Sequence, residues 1–314
     1  MLNIPGLDCG GKYKCMKSLF QRRDVGFVVD WDRYRNNGFF SAMTPFLIEA
    51  ILKGFWPTII SSQAEYNRHK KKLKKIISIE LGVPTIQYDT DLDCVKVLFH
   101  SDPHFEPEKR SRYFTENRFN YVLSFYKAPF FYHNPGFDLH KFIHFPWAVP
   151  DALIYTGPFK YRGDEIAIFG GAGSDAYDVR NWCRQQPGIT NYEYSGVENK
   201  TLDNKKYYHW LRQFDAIVAA GSSSPIYDMV TPKYFEIMAA GALLIGQSCQ
   251  DFEVLGFGSE NCLAFTKENF LDKITCYRQD PSSYTEIRTN GRDLILRRHK
   301  LSDRIKLLKE LLHD

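Results

Sequence analysis

Ser222-Ser-Ser-Pro-Ile-Tyr-Asp228-Met-Val-Thr231-Pro-Lys233-Tyr-Phe-Glu236-Ile-Met-Ala-Ala-Gly241-Ala-Leu-Leu-Ile-Gly246 is the stretch that decides the fold. A loop of small polar residues runs into a short apolar helix, Gly241 closes the helix, and an apolar strand follows from Ala242 to Ile245. Pro232 suits the first helical turn, where its missing N–H costs nothing. Thr231 stands at the capping position before it. The unpaired amides of a first turn attract anions, and Lys233 sits among them. Glu236 lies one turn further, at the same end of the helix. A cation and free amides for phosphate, with a carboxylate nearby for sugar hydroxyls, form the chemistry that holds a nucleotide sugar.

Outward from this stretch the second half alternates strand and helix. Glu165–Phe169 is a strand, Gly170-Gly-Ala-Gly173 a turn and Tyr177–Gln185 a helix. Asn191–Tyr194 is a strand, Asn204–Phe214 a helix and Ala216–Ala220 a strand. Helices follow over Lys267–Gln279, Pro281–His299 and Leu301–His313. The order is that of a Rossmann-like domain, with ligands beyond the carboxyl ends of the strands. The amides of Gly170 and Gly171 can cradle a phosphate there, although a tight turn explains the glycines equally. Their spacing is not GxGxxG, so no dinucleotide fingerprint is supported.

The first half is a less regular α/β pattern. Val25–Asp30, Pro57–Ile60, Thr85–Tyr88, Val95–Phe99, Tyr121–Ser124 and Lys141–Phe145 are strand-like; Met43–Lys53 and Glu65–Leu81 are helical. Such alternation predicts parallel sheets covered on both faces. Prolines and glycines cluster between Phe145 and Gly163. The expected division is 1–157 for an acceptor-side domain, 158–300 for a nucleotide-sugar domain, and 301–314 for a helix crossing back to the first.

The run Lys233-Tyr-Phe-Glu236-Ile-Met-Ala239-Ala-Gly241-Ala-Leu-Leu-Ile245 resembles the donor-site signature of GT-B glycosyltransferases, especially family four and the bacterial spore-maturation type. Glu253–Phe265, Arg288 with Gly291-Arg292, and His299 with Arg304 are similar to the tail of that group. The likeness covers residues 165–312 well and the first half loosely. It implies two Rossmann-like domains with parallel sheets facing a central cleft, and sugar transfer from a nucleotide diphosphate donor to a glycan or other hydroxyl acceptor. It also implies roles: Glu236 on the ribose hydroxyls, Lys233 on the diphosphate, and Asp228 near the transferred sugar. Ser222, Ser223, Thr231 and Tyr234 would surround the donor, and Tyr194 would line the base pocket. Asp228 and Glu236 keep the family's spacing of two acids separated by seven residues, with Asp where Glu is usual. That pair implies retention of configuration. The resemblance implies no bound metal and no cofactor beyond the donor. A nucleotide-sugar epimerase on the same scaffold, or a GT-B-like binding protein without activity, are the alternatives.

On the acceptor side, Phe99-His100-Ser-Asp102-Pro-His104-Phe105 delivers an acid and two histidines from a strand end. Asp102 or His104 can serve as the base or as an acceptor contact. The plainer alternative has Asp102 capping a turn and His104 packing under Phe105. His-x-Asp-x-His also suggests a metal, a weaker reading because no further ligand is evident.

Composition narrows the class. At 44% hydrophobic and 25% charged, the chain is of globular type, and it contains no run of eighteen apolar residues. The opening residues show no basic-then-apolar pattern, so a cytoplasmic location is expected. The seven cysteines form no CxxC pair and should stay reduced. A net charge of +4 is too small to imply nucleic acid. The excess is local: Arg68-His-Lys-Lys-Lys-Leu-Lys-Lys75 has seven basic positions of eight. This is either a solvated helix face or a contact for an anionic membrane or acceptor.

Overall fold

The computed structural model describes residues 22–36, 41, 43–80, 86–159, 163, 165–192 and 204–313. Two parallel sheets organise it. The first contains β1 (Arg22–Val28), β2 (Pro57–Ile60), β3 (Lys75–Glu80), β4 (Val95–His100), β5 (Tyr121–Ser124) and β6 (Phe142–His144), in the order β2-β1-β3-β4-β5-β6. The second contains β7 (Ile166–Phe169), β8 (Ile189–Tyr192), β9 (Ala216–Ala219), β10 (Leu243–Gln247) and β11 (Leu263–Phe265), in the order β11-β10-β9-β7-β8.

These strands are apolar on both faces because both faces are covered, as parallel sheets require. In the second sheet Ile166, Ile168, Val218 and Ile245 face Val179, Cys183, Phe270 and Ile274. The alternate residues Ala167, Phe169, Ile217 and Leu244 join Tyr207, Leu211 and Phe235 in a core that continues into the first domain through Phe145, Trp147 and Val149. The two domains thus share apolar packing around the connecting segment. That segment wraps behind the Pro232–Ala239 helix, where Tyr155 N–H donates to Ala239 O (2.7 Å). Gly241 has φ +79° at the helix end, and a Cβ there would meet the Tyr155 ring at 2.9 Å. Both facts demand glycine.

The chain returns to the first domain near Arg298. Val149 N–H donates to His299 O and Leu301 N–H to Val149 O, each at 2.9 Å. Arg304 ties this crossing, donating to Pro146 O (2.9 Å), Arg298 O (3.2 Å) and His299 Nδ1 (2.9 Å). His299 therefore carries its proton on Nε2, which donates to Leu255 O (2.9 Å); burial holds the ring neutral, with its pKa down at about 3. The Leu301–Leu311 helix then packs on the Met43–Phe55 helix, burying Leu308 against Ile51 and Phe55.

Two local expectations are corrected. The helix expected over Glu65–Leu81 ends early: Gln63–His69 is helical, Lys70–Lys72 form one 3₁₀ turn, and residues 75–80 are the central strand β3. Ile76, Ile77 and Ile79 are buried between neighbouring strands, and that burial outweighs the helical preference of the lysines. No strand forms at Ile86–Tyr88 either, and Thr85 and Leu81 lie outside the described residues. Side chains hold that stretch instead of a ladder. Gln63 exchanges two bonds with the Gln87 backbone (2.9 and 3.1 Å), and Asn117 Oδ1 accepts from Tyr88 N–H (2.8 Å).

Candidate active site

The signature helix Pro232–Ala239 starts at the carboxyl end of the second sheet, next to the Gly170–Gly171 turn that follows β7. Lys233 reaches across this turn. Its ammonium donates to Phe169 O (2.7 Å) and lies 4.1 Å from the centroid of the Phe169 ring. Gly170 has φ +107°, and a Cβ there would sit 1.8 Å from Lys233 Nζ, so glycine is what lets the cation lie on the turn. Two further cations converge on it from the Asp178–Arg184 helix. Arg180 is buried and donates to Gly171 O (3.1 Å) and Ala220 O (2.8 Å), while its guanidinium stacks on Tyr177 at 4.3 Å. Arg184 donates to Gly170 O and Gly171 O. Among the described residues no carboxylate pairs with Arg180, and burial lowers its pKa to about 10. The turn is therefore a desolvated, strongly positive spot. Sequence reading missed both arginines; their spacing of four, on the helix after a glycine turn, was the available signal.

Glu236 is 1% exposed. Oε2 accepts from Tyr207 Oη (2.8 Å), and Oε1 is buried without a hydrogen-bond partner among the described residues. Burial pushes its pKa up to about 7, against the opposing effects of Tyr207 and Lys233. The hydroxyl of Tyr208 is also buried and unpartnered, and Glu236 is one cause of its raised pKa. Thr231 holds the N-cap position but makes no capping bond; its Oγ1 is buried and unpartnered, contrary to the expected cap. Buried polar atoms are normally satisfied, so Glu236 Oε1, Tyr208 Oη and Thr231 Oγ1 keep unused hydrogen-bonding capacity.

The other expected donor residues have different surroundings. Ser222 Oγ donates to Asp175 O (2.9 Å), and Ser223 is held by Asp178 through its amide (2.9 Å) and hydroxyl (2.6 Å). Both brace the loop, as does Gln247, which accepts from Gly221 N–H and donates to Ser222 O (2.8 Å each). Tyr234 is fully buried, packed edge-on against Phe252 and Phe257, with its hydroxyl on Gln247 O (3.1 Å). This makes it a core residue. Tyr194 lies outside the described residues.

Asp228 is half-buried, and its Oδ2 accepts from Gln250 N–H (3.0 Å). Next to Gln250 a cavity of about 630 Å³ opens between the domains, lined by Lys127, Phe131, Asp251, Glu253 and Arg298 among others. Asp251 is nearly buried and bridges the cleft, accepting from the amides of Lys127 (2.7 Å) and Ala128 (2.9 Å).

From the first domain, His104 stacks edge-on against Tyr227 at 4.9 Å, next to Asp228 in sequence. Its Nδ1 is buried and unpartnered, and burial lowers its pKa, so the ring is neutral at pH 7. Asp102 is exposed and accepts from Ser101 Oγ (3.2 Å). His133 Nε2–H donates to Ile226 O (3.2 Å). His100 is turned away, edge-on to Phe114 and Phe130 in an apolar nest. Among the described residues no three His, Cys, Asp or Glu side chains converge as metal ligands, and no helix is long and apolar enough to cross a membrane. The five described cysteines are unpaired.

Residues 159–310 match the family model described as glycosyl transferase-like. No curated protein matches the chain significantly in sequence. Solved structures do. HepE of Anabaena, in complex with UDP-glucose, is 10% identical with a TM-score of 0.62 over 92% of this chain and 99% of HepE. Sucrose-phosphate synthase of Thermosynechococcus elongatus is 10% identical, with a TM-score of 0.62 over 93% of this chain and 98% of its own. TarM of S. aureus is 12% identical with a TM-score of 0.57 over 78% of this chain; the chain spans only 55% of TarM. At such identities the likeness is one of fold. The two parallel sheets thus form the GT-B fold of these glycosyltransferase structures, and residues 159–310 match the glycosyl transferase-like family model.

Proposed function

We propose that the chain transfers a sugar from a nucleoside diphosphate-sugar to a hydroxyl acceptor, with retention of configuration. The observation that carries this is Glu236: a buried carboxylate with one vacant oxygen, three residues after a lysine laid on a glycine turn beside buried Arg180. A ribose hydroxyl donating to Glu236 Oε1 supplies the missing partner. Lys233, Arg180 and Arg184 supply positive charge for the diphosphate, so the reading calls on no resident metal or cofactor.

Transfer breaks the bond between the anomeric carbon and the diphosphate oxygen and forms one to the acceptor oxygen. Negative charge grows on the departing phosphate, and cations already fixed there stabilise it without reorganising. In a retaining transfer the departing phosphate takes the acceptor proton. Asp228 then contacts the sugar, and Asp102 and neutral His104 orient the acceptor from the first domain. The donor site falls within residues 158–300. HepE and an alpha-glucosyltransferase hold UDP-glucose in their structures, which makes uridine donors the first to test. The proposal extends to contact with an anionic surface, membrane or acceptor, from the cytoplasmic side. Lys71 and Lys72 are exposed for it, whereas Lys70 and Lys74 are paired with Asp89 (2.7 Å) and Asp93 (3.8 Å).

The test is melting with and without nucleoside diphosphates, followed by donor turnover. A ligand at 100 times its Kd stabilises by about 2.7 kcal/mol. Failure of every nucleoside diphosphate to raise the melting temperature refutes the donor site. Donor isomerised without acceptor points to an epimerase, and binding without turnover to an inactive protein.

A further inference from the structure

The first domain carries a second set of cations on its far side. A polar cavity of about 420 Å³ lies where β4 and β5 begin, lined by Lys74, Asp93, Cys94, Lys96, Arg118 and Asn120 among others. His100 and Asp102 stand at the opposite end of β4, about 20 Å away along its six residues. The cavity is therefore separate from the cleft.

Lys96 is 3% exposed, and no carboxylate pairs with it among the described residues. Its position is fixed, because Asn120 Oδ1 accepts from Lys96 N–H (2.8 Å) and Asn120 N–H donates to Lys96 O (2.9 Å). Burial lowers the pKa of its ammonium, with Arg118 adding like charge and Cys94 and Asp89 opposing. Arg118 gives an independent sign. It follows the Pro107–Glu116 helix and its cap Asn117 with φ +49°, the left-handed conformation usually left to glycine. An arginine is strained there, yet it is exposed and has no ion-pair partner among the described residues. Against Lys74, Lys96 and Arg118 the lining offers one carboxylate, fully exposed Asp93 at 3.8 Å from Lys74. Burial raises the Cys94 thiol to about 12, so it stays neutral.

We propose that this pocket binds a phosphate or sulfate group, carried on a soluble ligand or on a lipid headgroup. Lys96, its stem buried, presents the ammonium at its base, and the Arg118 fork closes on the oxyanion from the rim. Neither role draws on the donor site.

The test is calorimetry with inorganic pyrophosphate in the Lys233→Ala background, which weakens the cleft for anions. Lys233→Ala protein should bind pyrophosphate, and adding Arg118→Gly or Lys96→Gln should weaken that binding at least tenfold. Arg118→Gly relieves the strained backbone and should melt no lower than its parent, so it decides the matter if Lys96→Gln misfolds. Equal affinity with and without Arg118→Gly, or no binding in Lys233→Ala protein, overturns the site. Sedimentation with phosphatidic acid and phosphatidylcholine vesicles separates the sources. Arg118-dependent binding to the acidic vesicles alone supports a lipid headgroup. Arg118-dependent pyrophosphate binding without vesicle binding supports a soluble ligand.

Discussion

Replacing Glu236 by glutamine should make the empty protein more stable and the nucleotide complex weaker. In the folded chain the carboxyl titrates near 7 because burial disfavours its charge, against an ordinary value of 4.5. Between those values the folded state binds more protons than the unfolded one, so stability falls as pH rises, and above 7 the full cost is present. At about 1.4 kcal/mol per pH unit that cost is about 3 kcal/mol. Glutamine cannot ionise and escapes it. Urea unfolding at pH 5 and pH 8 should show Glu236→Gln gaining about 2.5 kcal/mol on the wild type over that interval. Any fixed penalty from the amide cancels in the difference. Nucleotide binding should move the other way. A neutral amide replaces the charged acceptor of the ribose hydroxyls, and UDP affinity should drop by about 1–3 kcal/mol. The advantage of wild type over mutant in UDP binding should shrink as pH drops below 7, where Glu236 is protonated. Parallel stability curves for the two proteins would refute the buried-carboxylate reasoning, and equal UDP affinity in the folded mutant would remove Glu236 from the site.

Gly170→Ala places a methyl group at φ +107° and drives Lys233 off Phe169 O; it should cost about 1–3 kcal/mol in urea unfolding and weaken UDP binding in calorimetry. Asp251→Ala removes the cap on the Lys127 and Ala128 amides. It should cost about 1–2 kcal/mol and, because those bonds join the domains, enlarge the radius of gyration in small-angle scattering. His104→Ala and Asp102→Asn should leave UDP affinity unchanged and slow transfer about 100-fold in initial-rate assays; full rates in both would move the acceptor contacts elsewhere in the first domain.

The second domain was the more legible half because its elements are short and bounded by glycines, and because one motif fixes a helix, its cap and the next strand together. The first domain hid its central strand. Lys75-Ile-Ile-Ser-Ile-Glu80 continues a lysine-rich helix without a break residue, and only burial from neighbouring strands decides its state. The site divides the same way. Lys233 and Glu236 share one helix and appear in one motif. Arg180 and Tyr207 arrive from helices more than twenty residues upstream, and no local pattern announces that they converge. The serines show the reverse limit: their composition suggested ligand contact, whereas partners at Asp175 and Asp178 tie them into the loop.

The crossing of the Leu301–Leu311 helix back onto the Met43–Phe55 helix sets an order of events during synthesis. Met43, Ile51 and Phe55 share one core with Leu308 and Leu312. The first domain is made first, but one face of its sheet-covering helix stays bare until residues beyond 300 leave the ribosome. The second domain, whose sheet contacts are all local to residues 166–265, can close in the meantime. The first domain therefore completes its apolar packing only once residues beyond 300 have emerged, although the Met43–Phe55 helix already has its own sheet to pack on.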